Sequence, residues 1–297
     1  MGTPTQRPAT GSGGNAITPR APDFLCIGAQ KAATAWLRSN LSAHPGIKLP
    51  FAKELHYFDS RTHGDRNFFL PLLQKRLAKK IEQARARGAP EAHLAHMRRL
   101  GDPDRILTLD WYLDAFALVP PRKITGEFTP RYAAMPEDMM DELFALAPRV
   151  KLIYIIRDPF DRALSSFRME VARQAIDPEN RTAMDDFAAY WLRRSGKQQS
   201  NYACFIPRWD ARTVEGETML YLPFGDVKTD PDAVLRRVEA FLGLTEGPAQ
   251  SRARNKFNRT APIAVPNWLV EQLREDMAPH LKFLQDRFSR DFVDRIR

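Results

Sequence analysis

The stretch Phe24-Leu25-Cys26-Ile27-Gly28-Ala29-Gln30-Lys31-Ala32-Ala33-Thr34-Ala35-Trp36-Leu37 decides the fold. It reads as a short apolar run, a loop built around Lys31 and a helix opening at Thr34. A strand that empties into a helix N-terminus makes an anion site, because the first amides of the helix have no partners within it. Lys31 adds a positive charge on a long flexible stem. The ATP-binding loop places Gly-Lys-Ser/Thr after four loop residues, and here both that triplet and its second glycine are absent. The loop is therefore expected to hold a phosphate-like group, but not ATP in the ordinary way.

Working outward, apolar runs alternate with helical patterns. Lys123–Phe128, Val150–Ile156 and Met219–Leu222 read as strands, and Gly46–Leu49 as a further short one. The near-continuous apolar character of 150–156 suits a strand covered on both faces of a parallel sheet. Helices are expected over 136–147, from Asp158-Pro159, and from Asp230-Pro231 to Gly243. Each Asp-Pro pair offers an acidic cap followed by a proline at the first helical position. Strands alternating with helices argue for a doubly wound parallel sheet. Residues 68–100 read as two basic amphipathic helices broken at Gly88-Ala89-Pro90, with a helix over 107–118 after them. Residues 61–106 are thus a basic helical insertion in a single domain spanning 21–297. Residues 1–20, rich in Gly, Pro, Thr and Ser, read as a disordered tail.

The chain has 297 residues, enough for a full core, and a net charge of +9 that favours anionic partners. Its two cysteines, Cys26 and Cys204, form neither a disulfide framework nor a metal-ligand spacing. No stretch is apolar enough for a membrane span, no signal-peptide pattern opens the sequence, and a cytoplasmic location is the expectation.

Two places outside the loop carry candidate chemistry. Arg157 lies at the carboxyl end of the strongest strand, where open α/β sheets bind ligands, and Ser165 lies eight residues on. The pair could hold a second phosphate, or Arg157 could be a surface partner of Asp158 or Asp161. Lys53-Glu54-Leu55-His56 offers a carboxylate that could take a proton and a histidine that could orient or assist. It could equally be an ordinary Lys53–Glu54 ion pair beside a structural histidine.

Four segments, in order, resemble the PAPS-dependent sulfotransferases, specifically the branch with heparan-sulfate and bacterial carbohydrate sulfotransferases. They are Ile27–Thr34, Lys53–Asp59 (Lys-Glu-Leu-His-Tyr-Phe-Asp), Gly126–Tyr132 (Gly-Glu-Phe-Thr-Pro-Arg-Tyr) and Arg157–Phe167. The resemblance implies a P-loop-like three-layer α/β/α fold around a central parallel sheet. It also implies transfer of a sulfuryl group from PAPS (3′-phosphoadenylyl sulfate) to a hydroxyl or amine of a glycan or small-molecule acceptor, leaving PAP and needing no metal. Lys31, Ala32, Ala33, Thr34, Ala35 and Trp36 would bind the 5′-phosphosulfate, and Arg157 with Ser165 the 3′-phosphate. Lys256 would close over the nucleotide. Glu54 would be the general base, His56 its assistant, and Lys31 would stabilise charge on the departing phosphate.

Three departures accompany it. Ala33 stands where the family has glycine, and is expected to fit with a negative φ. Ala35 replaces a hydroxyl residue, and Phe128 replaces a lysine. The alternative readings are a non-catalytic or impaired protein of the same fold binding PAP, PAPS or a polyanion, and a P-loop phosphotransferase. The second lacks the Gly-Lys-Ser/Thr triplet and an acidic strand end for magnesium. Nucleic acid is not expected, because the basic 68–105 segment offers few aromatics for base stacking. The acceptor and the oligomeric state are left open.

Overall fold

The computed structural model describes residues 18–63, 66–194, 198–244 and 263–297. In chain order the elements are β1 (Phe24–Gly28), α1 (Thr34–Leu41), α2 (Tyr57–His63), α3 (Arg66–Ala86), α4 (Glu91–Arg99), α5 (Leu109–Asp114), β2 (Gly126–Phe128), α6 (Glu137–Leu146) and β3 (Lys151–Ile156). There follow α7 (Pro159–Arg173), α8 (Arg181–Arg194), α9 (Tyr202–Asp210), β4 (Met219–Pro223), α10 (Phe224–Thr229), α11 (Pro231–Leu242), α12 (Asn267–Arg287) and α13 (Arg290–Asp294). Two 3₁₀ turns, Pro130–Ala134 and Gln198–Ser200, prove important below.

The sheet is wholly parallel, in the order β2-β1-β3-β4. All five residues of β1 are buried, as are residues 152–156 of β3. Side chains alternate between the faces of a strand, so consecutive burial requires cover on both faces, which the surrounding helices supply. The chain leaves β1 for β2 on one side and passes from β3 to β4 on the other. The carboxyl ends of β1 and β3 therefore flank the switch point, where α/β sheets bind ligands.

Local signals set the helix starts. Asp158 caps α7, its Oδ1 accepting from the Phe160 and Asp161 amides at 3.0 and 3.1 Å. Asp230 caps α11 from the Ala233 amide at 3.0 Å, and Gly243, at φ 74°, ends that helix in a left-handed conformation that costs glycine nothing. A second apolar cluster joins α7, α8 and α12 through Phe167, Trp191, Leu269 and Leu273.

Two sequence expectations are corrected. Residues 46–49 form only an isolated bridge, Ile47 to Ile124, because Pro45 and Pro50 leave no length for a ladder. The helix expected over 107–118 shrinks to α5. Leu107 is left-handed at φ 64°, and Thr108 caps the helix by accepting from the Trp111 amide at 3.2 Å. In α3, Leu73 and Leu77 face the core while Lys75, Arg76, Lys79 and Lys80 are exposed, as the amphipathic pattern indicated.

Candidate active site

The loop after β1 turns sharply. Lys31 and Ala33 both adopt left-handed backbone, at φ 68° and 62°. The expectation of a negative φ at Ala33 is therefore wrong: the turn into α1 needs a left-handed residue at the cap, and the Cβ of alanine strains it. Ala33 is also the N-cap of α1 and has no side chain to cap with, so it offers the amides of the first turn no acceptor. Thr34 and Trp36 are buried and Ala35 is exposed. Gly28 is required beneath this loop, since a Cβ there would lie 2.8 Å from the Tyr154 ring.

Arg157, leaving β3, reaches across the switch point and donates from Nη1 to the Lys31 carbonyl at 2.7 Å. Its guanidinium lies 4.5 Å above the Phe224 ring, which Lys228 approaches at 5.0 Å. Arg157 Nε is buried without a hydrogen-bond partner among the described residues. Of the two acids offered as surface partners, Asp158 caps α7 and receives Arg297 Nε at 3.0 Å, whereas Asp161 is the nearest-acting negative charge on the Arg157 guanidinium. Burial, followed by the charges of Arg157, Lys53 and Arg162, holds the Lys31 ammonium below its ordinary pKa. Arg162, fully buried in α7, is pushed down to about 10 by burial. Such a concentration of cations on half-buried backbone amides fits a polyanion. Ser165 sits half-buried in the second turn of α7 and its hydroxyl makes no hydrogen bond among the described residues. Lys256 lies outside the described residues.

The second half of the site is the loop 53–56 ahead of α2. Glu54 and His56 are both left-handed, at φ 62° and 57°. Four of the six left-handed non-glycine residues among the described residues thus lie in the two loops of this site, where strain is expected to concentrate. Lys53 Nζ lies 2.9 Å from Glu54 Oε1, and His56 Nε2 lies 3.5 Å from Glu54 Oε2. On its other side His56 donates from Nδ1 to Asp59 at 2.9 Å, and Arg131 Nε approaches Asp59 at 3.3 Å. Burial alone would raise the Glu54 pKa, but the His56 hydrogen bond and the Lys53 charge outweigh it and bring it to about 2. Burial would likewise lower His56, yet its bonds to Asp59 and Glu54 raise it to about 9. The Lys53–Glu54 pair and a hydrogen-bonded histidine both exist, then, but as parts of one chain of charges.

Glu127 holds that loop in place, a role the sequence reading did not assign. Buried at 1% exposure, its Oε1 accepts from Thr129 Oγ1 at 2.5 Å, the Leu55 amide at 2.9 Å and Tyr132 OH at 3.0 Å. Its Oε2 accepts from Tyr112 OH at 2.9 Å. Leu55 stands between the two left-handed residues, so this carboxyl pins the turn that aims Glu54 and His56. Phe128 next to it turns into the core, edge-on to Phe24 at 5.8 Å. Asp59 and Arg131 were within the quoted motifs without a role. Arg162 gave no signal, since a buried arginine on a helix looks like a surface one in sequence.

The sequence model described as the Sulfotransferase family matches residues 22–247. The human bifunctional heparan sulfate N-deacetylase/N-sulfotransferase 3 is 26% identical over 241 residues, covering 76% of this chain and 22% of that protein. Mouse heparan sulfate glucosamine 3-O-sulfotransferase 5 is 23% identical over 257 residues, covering 82% of this chain and 59% of its own length. The chain thus spans less than two thirds of these curated relatives. The crystal structure of a sulfotransferase from Alicyclobacillus acidocaldarius superposes with a TM-score of 0.60 at 21% identity, covering 93% of this chain and 99% of that one, which establishes the P-loop-like fold. With the match running from β1 through β4 and across every loop that builds the site, the chain belongs to the sulfotransferase family of enzymes.

Proposed function

We propose that this chain transfers the sulfuryl group of PAPS to a hydroxyl or amine of a glycan or small-molecule acceptor. The observation that supports it most is the meeting of two loops at one sheet edge: the cationic Lys31–Arg157 corner and the Glu54–His56–Asp59 chain. The residues fit the donor. Among the described residues Arg157 Nε is a buried donor without a partner, and the α1 amides without a side-chain cap lie beside Lys31. Lys31 and the first turn of α1 would hold the 5′ end, and Arg157 with Ser165 the 3′-phosphate. Bound PAPS supplies the sulfuryl group and a good phosphate leaving group.

Glu54 accepts the acceptor's proton on a carboxylate oxygen. A carboxylate near pKa 2 is a feeble base, held there first by the His56 hydrogen bond and then by Lys53, and Lys53 is the one of the two with a second anion to turn to. When Lys53 turns toward an anion on the Lys31 side, Glu54 loses its nearest opposing charge and gains basicity. His56, charged and anchored by Asp59, keeps the carboxylate oriented. Lys31 stabilises charge developing on the leaving oxygen.

The test is a pair of measurements. PAP should bind the wild-type chain and raise its thermal midpoint, as any ligand of the native state does. Glu54→Gln should retain PAP binding and lose sulfuryl transfer by at least a hundredfold. Absence of PAP binding removes the donor reading, and full activity in Glu54→Gln removes the base.

A further inference from the structure

The segment after α13, Arg295–Arg297, bridges the exits of β3 and β4 beside the cationic corner. The Arg295 carbonyl accepts from the Gly225 amide at 2.7 Å, and the Ile296 carbonyl accepts from the Asp158 amide at 3.0 Å. β3 and β4 are paired in register with Ile156 beside Pro223, so Asp158 and Gly225 each stand two residues past a paired strand end. Successive carbonyls of one short segment thus reach both exits.

Side chains secure the same bridge. Arg297 Nε donates to Asp158 Oδ2 at 3.0 Å, while Oδ1 of that carboxylate caps α7. Arg295 Nη1 donates to Asp226 Oδ2 at 2.6 Å, and Arg237 approaches the same oxygen at 3.5 Å. Ile296 between them is buried at 1% exposure. Gly225 makes the close approach possible. A Cβ there would run into the Arg295 carbonyl and lie 2.7 Å from the carbonyl oxygen of Arg297. Both obstacles are backbone, so room is made only if the segment moves.

Each exit residue stands next to one half of the donor corner. Arg157 precedes Asp158, Phe224 precedes Gly225, and the Arg157 guanidinium lies 4.5 Å from the centre of the Phe224 ring. That stacking fixes the direction of a long side chain, and with it the direction in which the buried Nε can donate. Groups that meet a ligand need a surrounding layer that holds them to within about 0.5 Å. The Arg157 amide is held separately, donating to Tyr202 OH at 3.3 Å. The segment therefore acts on the spacing of Arg157 and Phe224 rather than on Arg157 alone. Through Asp158 it also holds the start of α7, the helix that carries Ser165.

We infer that Arg295–Arg297, packed on Gly225, is a positioning brace for the 3′-phosphate half of the donor site, setting the Arg157–Phe224 stack and the start of α7 together. The inference rests on the donor reading above and deepens it. The brace reaches the 5′ end only through the Arg157 hydrogen bond to the Lys31 carbonyl, so its loss falls on recognition of the 3′-phosphate.

The test needs no acceptor. The full chain is titrated by calorimetry with PAP and with adenosine 5′-phosphate, which lacks the 3′-phosphate. Alanine suits α10 at least as well as glycine, so Gly225→Ala changes little there except that it dislodges the segment. It should weaken PAP about tenfold and adenosine 5′-phosphate less than about threefold, the loss expected when an arginine–phosphate contact is misaligned. Arg297→Ala removes one bond made by a mostly exposed side chain, so it should fold like the wild type and weaken PAP about threefold. Arg297→Lys, which still reaches Asp158, should restore wild-type affinity. A role in folding alone would lower the thermal midpoint and leave the ratio of the two affinities unchanged. An unchanged ratio in folded Gly225→Ala overturns the inference. If that variant does not fold, an unchanged ratio in Arg297→Ala overturns it instead. Wild-type protein that fails to bind PAP overturns the donor reading and the brace with it, a result distinct from wild-type PAP binding that neither variant disturbs.

Discussion

The charge chain Glu54–His56–Asp59 makes a stability prediction that needs no substrate. His56 rises from 6.5 to about 9 in the folded protein. A shift of this size corresponds to about 3 kcal/mol of differential stabilisation, at about 1.4 kcal/mol per unit. The folded pKa is raised, so that stability is fully present below pH 6.5 and is lost as pH climbs through about 9. Glu54 carries the opposite linkage. Its folded value near 2 makes its contribution present above pH 4.5 and lost on acidification. The two share one contact, so the pair is worth about 3 kcal/mol once, not twice. Lys53, Asp59 and Arg131 face the same groups and are present in wild type and variant alike. The perturbation is His56→Asn, because asparagine tolerates the left-handed backbone at φ 57° better than most residues. Urea unfolding followed by tryptophan fluorescence at pH 6, 7.5 and 9 gives the readout. Wild type should lose about 3 kcal/mol more than His56→Asn between the first and last of these. Parallel pH curves, within about 0.5 kcal/mol of each other, would show that His56 does not gain its charge from this chain.

Three further outcomes follow from the same geometry. Ala33→Gly should stabilise the chain by about 1 kcal/mol in chemical denaturation, because glycine is free of the left-handed penalty that alanine carries at φ 62°. Glu127→Ala leaves four donors facing a void and should cost about 3–5 kcal/mol, whereas Glu127→Gln keeps three of them on the amide oxygen and should cost about 1–2 kcal/mol by the same measurement. Equal costs for the two would place the Glu127 contribution in packing instead. Arg157→Met keeps the stem over Phe224 but removes the charge, and calorimetry should show PAP affinity falling at least tenfold with little change in thermal midpoint of the free protein.

What was legible in the sequence was what is local. The strand–loop–helix unit around Lys31, the caps at Asp158 and Asp230 and the buried strand ending at Ile156 each depend on residues a few positions apart. Lys31 and Arg157 could be picked out by residue type and by their places after strands, Glu54 and His56 by residue type alone. Three features depend instead on contacts across the fold. One is the left-handed backbone at Ala33, Glu54 and His56, which carries no glycine to announce it. It is held by partners about 70 residues away, such as Glu127 on the Leu55 amide. Another is Arg162, whose burial becomes intelligible only when Ser200 is found against it. The last is the cavity beside Asp59, whose walls come from two 3₁₀ turns separated by more than sixty residues. The replacement of the family lysine by Phe128 brings these together. In the sequence it reads as a lost charge near the acceptor. In the fold, position 128 points into the core against Phe24, and Arg131, one turn on, faces Asp59 and the cavity. A lysine at 128 would have to bury its ammonium among aromatic rings or leave the strand, so the departure follows from the packing of β2 against β1, and the cation beside Asp59 is supplied by the turn that comes next.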